Sequence, residues 1–371
     1  GRIQSGADGD DSTLAVQVAS IDNTRGLIGN LGTGDATIQG GTRVVNGAGA
    51  ITGNGRVALS ASTISNTLGG QLSGATVSID ADTLDNTGGG IGNLSGSRGD
   101  VAIKTAGALT NTSGQIGATN DLNVTAATLA GGGAYGAAHD VAVNVEGDFA
   151  MTPTLKLAAG HELAITLSGT FTNDTRVEAV ENLNITAGDI ANSGAMMAGG
   201  TLTTHSNTLQ NTGTLVGGDV SLNATSRLSN VGPTALIGAT NSEGTLELLA
   251  PIIENRDDTT ATDTQATAAI YGLGRVVLAG GKDASGNYTQ AKLIRNQSAL
   301  IQSTREMALH ANQVTNTRRQ MQTSGFTSSV SADLLASLGI SLSGRTGKIN
   351  TRDPNAIGGV YVEPPHGGEW N

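Results

Sequence analysis

An apolar residue, one variable residue and an asparagine recur along most of the chain, and no other feature constrains the fold as strongly. Ile21-Asp22-Asn23, Ile64-Ser65-Asn66, Leu109-Thr110-Asn111 and Leu209-Gln210-Asn211 are examples. The asparagines are Asn23, Asn46, Asn66, Asn86, Asn111, Asn173, Asn192, Asn211, Asn230, Asn255, Asn296 and Asn316. The step is 19 residues three times over between Asn173 and Asn230, and 20 twice over between Asn46 and Asn86. Two copies that lack the asparagine, Leu129-Ala130-Gly131 and Phe149-Ala150-Met151, fill the interval between Asn111 and Asn173.

Each unit carries a second apolar alternation, as at Val57 and Leu59, Val77 and Ile79, Val141 and Val143, Leu163 and Ile165, and Val220 and Leu222. Period-2 runs bounded by Gly, Asn, Asp and Ser are strands. A unit of this length cannot bury its own apolar face, so successive copies must stack. The expected fold is all-β, a right-handed parallel β-helix of ~20-residue rungs. Roughly fourteen rungs at the ~4.8 Å strand spacing give a stack on the order of 65 Å long. Stacking places identical amides one rung apart, where they can form a hydrogen-bonded asparagine ladder. Asn tolerates the left-handed turn conformation, and the glycines of Asn192-Ser193-Gly194 and Asn211-Thr212-Gly213 are expected to supply positive φ.

Composition agrees with a thin aliphatic core. Aromatics make up 2% of the 371 residues, Gly numbers 55, and there is no strict third-residue glycine of the collagen kind. The chain has no Cys, which excludes disulfides and thiolate chemistry and suits a substrate exported through an oxidising periplasm. A net charge of −11 argues against nucleic acid as a partner. No run of 18 apolar residues is available for membrane insertion, and no signal peptide opens at Gly1, so the chain reads as a monomeric piece of a longer protein.

The regular repeat defines a first region, 1–254. Longer steps after Asn255 mark a second, 255–319, in which rungs carry two insertions, Arg256 to Ala269 and Gly280 to Tyr288. The latter has hairpin chemistry. Residues 320–371 form a third region, an irregular C-terminal extension holding Ser328 to Ser343 and a Pro/Gly-rich tail. Five of the eight aromatics, Tyr271, Tyr288, Phe326, Tyr361 and Trp370, fall late in the chain. They are candidates for partner binding, and equally for capping the open edge of the last rung.

Candidate chemistry is sparse. His139-Asp140 and His161-Glu162 stand in the same register before a strand, which places them one rung apart. They read as a solvated ladder at a turn, with a metal site or an acid–base pair as the alternative. Asp257, Asp258 and Asp263 lack calcium-loop spacing and read as a solvated loop. His205, His310 and His366 have no evident partners. No phosphate-binding loop, dinucleotide fingerprint or nucleophile elbow is present, so no catalytic residue, metal or cofactor is expected.

The units "LTNTSGQIGATNDLNVTAAT" (109–128), "LQNTGTLVGGDVSLNATSR" (209–227) and "IANSGAMMAGGTLTTHSNT" (190–208), with the closing "GRVVLAGGKDASGNYTQAKLIRNQSALIQSTREMALHANQVTNTRR" (274–319), resemble the haemagglutinin repeats of filamentous haemagglutinins. These are two-partner secretion exoproteins, a group that includes contact-dependent growth inhibition toxins. The resemblance covers about 20–319. It implies a β-helical shaft held at the surface of a Gram-negative cell and exported through an outer-membrane secretion partner. Such a shaft carries recognition and toxin modules towards a target-cell surface receptor. The tail "YVEPPHGGEWN" (361–371) resembles the start of a receptor-binding region. A haemagglutinin-type adhesin is the alternative role, and a carbohydrate-active β-helix using Asp140 or Glu162 is a further one. The resemblance places any toxin activity outside this chain, which is itself expected not to be an enzyme.

Overall fold

A computed structural model describes residues 1–258 and 268–318. Among them are 36 strands and no helix, wound into a parallel β-solenoid of about 15 turns. The extension 320–371, with Ser328 to Ser343, Phe326, Tyr361, His366 and Trp370, lies outside the described residues, as do Asp263 and most of the first insertion.

Each turn contributes to three faces, and on each face equivalent residues pair in register with the turn before. On the first, Val57, Val77, Val101, Leu122, Val141 and Leu163 follow one another. On the second, the apolar residue of the repeat motif stacks through Val44, Ile64, Leu84 and Leu109, and later through Phe149, Phe171, Ile190 and Leu209. On the third, Ile51, Leu72, Ile91, Ile116 and Tyr135 align. All three columns point inward, because alternate residues of a strand face opposite sides. Val57, Leu59 and Ala61 are buried while Arg56 and Ser62 are exposed. Each Leu or Ile so buried contributes about 1.5–3 kcal/mol. One rung adds few such residues, so the fold is stable only as a stack.

The motif turn differs from its expected form. Gly194 and Gly213 do not have positive φ. The left-handed residue is the second after the asparagine in a subset of turns, and it is often not glycine: Arg25, Ala48, Leu68, Ser113 and Ser298 have φ of 50–57°. Gly194 and Gly213 are needed for space. A Cβ there would come within 1.9 Å of the Thr175 carbonyl oxygen and 2.1 Å of the Gly194 carbonyl oxygen.

The first insertion closes earlier than its sequence suggests, because Ala268 and Ala269 already belong to a strand paired with Ala299 and Leu300. The second is a hairpin in which Gly281–Lys282 pairs antiparallel with Tyr288–Thr289. Asp283 caps its turn by accepting the amides of Ser285 and Asn287 at 2.9 Å.

Leu68 combines a φ of 57° with 81% exposure, so its side chain is strained and packs against little. Leu68→Gly is expected to raise stability by up to about 1 kcal/mol, because left-handed strain costs about 1–2 kcal/mol and glycine's extra unfolded freedom offsets part of the relief. Gly89→Ala is expected to lower it by about 1–3 kcal/mol, its Cβ meeting the Asn66 carbonyl oxygen at 2.0 Å. Urea denaturation of both variants checks these signs.

Candidate functional site

Two polar columns run along the stack. The first is internal. Asn23 Nδ2 donates to Asn46 Oδ1 at 2.7 Å, and the pattern continues through Asn66 and Asn86 to Asn111 at 2.7–2.8 Å. It starts again at Asn173 and passes through Asn192, Asn211, Asn230, Asn255 and Asn296 to Asn316 at 2.7–3.0 Å. The second amide hydrogen bonds a backbone carbonyl, as from Asn192 to Thr214 at 3.2 Å. Asn46 to Asn255 of these columns are almost wholly buried, so the amides satisfy one another and the turn carbonyls where water is absent.

Between the two runs, Gly131 and Met151 occupy the asparagine register. Each broken end is finished locally. Asn111 donates to the Ala134 carbonyl, and Asn173 Oδ1 accepts from the amide and hydroxyl of Thr175 at 3.2 Å. Tyr135 fills the neighbouring core at 1% exposure. Burial raises the pKa of its hydroxyl, which meets no hydrogen-bonding partner in good alignment. The nearby Asn111 amide offsets that rise only in part.

The second column is on the flank, at the turn before the first-face strand. Asp100, Asp121 and Asp140 each accept the strand-entry amide of the next rung, from Asp121, Asp140 and Glu162 at 3.0–3.2 Å. Asn182 and Asp219 continue this role. Just ahead of these residues stand Asn120, His139, His161 and Glu181, joined by backbone bonds from rung to rung. The His139 and His161 rings stack 4.7 Å apart and 3° from parallel. Their Nδ1 atoms lie 2.9 Å from Asp121 and 2.8 Å from Asp140. The Asp140 bond raises the His161 pKa against the opposing effect of burial, and the Glu181, Asp140 and Glu162 charges add to the rise. Burial pushes Asp140 up, but hydrogen bonds from His161 and the Glu162 amide outweigh it and leave its pKa below the ordinary value. A glycosidic general acid needs the opposite shift. Asp140 thus serves as a turn-holding carboxylate.

The late aromatics are placed apart. Tyr271 faces outward on the strand Ala268–Gly272 of the third face. Tyr288, on the hairpin, covers the outside of the first face, where Leu249, Val277 and Ala279 are buried beneath it. Its hydroxyl donates to Glu247 at 2.7 Å and its ring stacks on His310. Burial and the Glu247 bond push its pKa up to about 12. Glu247 also holds Lys282 at 2.6 Å, and the buried Glu254 lies among Arg227, Arg256 and Arg295 at 3.3–3.8 Å. Sequence reading missed both glutamates, although the continuous apolar run Val276 to Ala279 signals a strand covered on both sides. Asp257 is fully buried rather than part of a solvated loop. His205 is exposed on the first face beside Asn223.

The chain is 50% identical over its whole length to the tRNA nuclease CdiA-2 of Burkholderia pseudomallei (strain 1026b), of which it spans 13%. It is 31% identical over 279 residues, 64% of the chain, to Toxin CdiA of Yersinia pestis, of which it spans 8%. No family model and no solved structure matches it. Fold and likeness together define a β-solenoid segment related to the CdiA proteins. The chain is a homologue of these CdiA proteins and corresponds to a short stretch of each.

Asn192→Ala removes the acceptor of Asn173 and strands Asn211 Oδ1. It is expected to cost on the order of 2–4 kcal/mol, measured by urea denaturation. Asp189 is held below the ordinary carboxylate range by the Thr208 hydroxyl first, against the opposing effect of burial, with the Thr208 amide and Asn207 adding to the lowering. Its contribution is present above the unfolded-state pKa and is lost as pH falls through the lower folded one. Asp189→Asn should therefore flatten this part of the acid limb of the stability–pH curve.

Proposed function

We propose that the chain is a shaft segment of a surface-held, two-partner-secretion exoprotein, and that it carries recognition and toxin modules of the parent protein towards neighbouring bacteria. The observation that carries this reading is the identical-residue stacking. Residues repeated rung after rung maintain length and register. In this reading the parent is exported through an outer-membrane secretion partner. Any nuclease or other toxin activity belongs to parts of the parent beyond this chain, which is not itself an enzyme.

A second reading rests on the hairpin, which breaks the repeat and clasps Tyr288, Lys282 and Glu247 on one face. It gives 255–319, with the extension 320–371, a role in contacting a target-cell receptor, as in an adhesin.

Deletion of 193–230 from the parent removes two whole units and leaves the register intact. A shaft tolerates this, so inhibition of co-cultured target cells is expected to stay within a few-fold of the undeleted protein. Complete loss of inhibition with normal surface display would count against the shaft. Selective loss of target-cell binding on removing the hairpin, Gly281 to Thr289, would favour the second reading.

A further inference from the structure

The flank column holds a pair of imidazoles that the shaft role does not use. Asp121 Oδ1 and Asp140 Oδ1 already accept backbone amides at 3.1 and 3.0 Å, and each also meets a histidine Nδ1. Ionised carboxylates only accept, so both rings carry their hydrogen on Nδ1. Nε2 of a neutral ring then presents a lone pair. A carboxylate that fixes the tautomer in this way is the usual support of a metal-binding histidine. Here it is supplied by the turn that every rung must make.

The free nitrogens face one way. The rings are parallel and anchored alike, so their Nε2 atoms stand on the same side, about one rung apart. His161 Nε2 lies 3.2 Å from Glu181 Oε2 on the following rung. Two lone-pair atoms at that distance repel unless a positive charge, either a proton or a metal ion, lies between them. The separation is close to the edge of a tetrahedral zinc site, about 3.3 Å for bonds of ~2.0–2.1 Å. His139 starts wider, at the 4.7 Å ring spacing, but its side chain is 47% exposed and can tilt towards His161.

Position supplies an independent reason. His139 lies between Gly131 and Met151, and His161 between Met151 and Asn173, the stretch where the internal asparagine column is interrupted. Ligands from three consecutive rungs would tie the stack from outside where the internal tie is missing.

We propose that His139, His161 and Glu181 bind a divalent transition metal of the zinc type, with Asp121 and Asp140 as positioning residues, and that the ion staples three rungs across the break. Imidazole and carboxylate donors suit Zn²⁺. The remaining coordination position is open to water.

The test is calorimetric titration of the full chain with Zn²⁺ at neutral pH, with thermal unfolding recorded with and without the ion. The proposal expects one site of micromolar or tighter affinity and a raised unfolding midpoint. His139→Gln with His161→Gln, which keeps an amide donor towards each aspartate, should abolish that site. Glu181→Gln should weaken it about tenfold, and His205→Gln with His310→Gln should leave it unchanged. Circular dichroism of each variant confirms that the strands remain. Absence of Zn²⁺ binding by the folded parent chain overturns the proposal, as does a site that survives the His139/His161 double variant. The first result would assign the place beside His161 Nε2 to a proton.

Discussion

Parallel, in-register stacking is the constraint on which everything else in this molecule depends. Each residue has, one rung above and below, a residue in the same environment, so the sequence must choose side chains that tolerate a copy of themselves at strand spacing. Aliphatic residues do so by packing, as in the column from Val57 to Leu163. Asparagine does so because it is both donor and acceptor, and Asn192 gives to Asn211 what it receives from Asn173. Phe149 on Phe171 and His139 on His161 are the same solution with rings. Carboxylates are the difficult case, because like charges would repel. The flank aspartates relieve this by accepting a strand-entry amide, and Asp121 and Asp140 add an imidazole.

The asparagine column is both a support and a restriction. Buried amides are stable only while every neighbour is present, so a break must be finished with other groups. Asn111 and Asn173 are finished by a carbonyl and by Thr175, and the gap holds the buried Tyr135 hydroxyl. The interrupted rungs are thus the part of the stack with the fewest internal polar ties, and the flank histidines lie beside them. A stack built from repeated rungs gains from local completeness of this kind, since each turn needs only its predecessor.

Much of this was legible in the chain because a solenoid writes its period directly into the sequence. Twelve asparagines and the alternating valines, leucines and isoleucines dictated parallel stacking, and the offset of His161 from His139 placed them on adjacent rungs. What could not be read lay in the third dimension. Nothing in the sequence around Leu68 or Arg25 signals a left-handed backbone, because a subset of the turns imposes it on the second residue after the asparagine, whatever its type. Gly194 and Gly213 looked like conformational glycines and proved to be spatial ones. Glu247 and Glu254 drew no reading at all from the sequence, yet the hairpin and the arginines of neighbouring rungs cover them.

The absence of cysteine makes the central claim, in-register parallel stacking, directly measurable by engineered cross-links. Thr203 and Ser221 face outward as register partners on adjacent rungs, and ~4.8 Å strand spacing lies within disulfide reach. Oxidation of the chain carrying Thr203→Cys and Ser221→Cys is predicted to close an intramolecular disulfide rapidly. Thr203→Cys with Glu247→Cys, two rungs apart, is predicted to remain reduced. Closure of the second pair without the first would show that the rungs do not stack in this register, and the account of the shaft would fall with it.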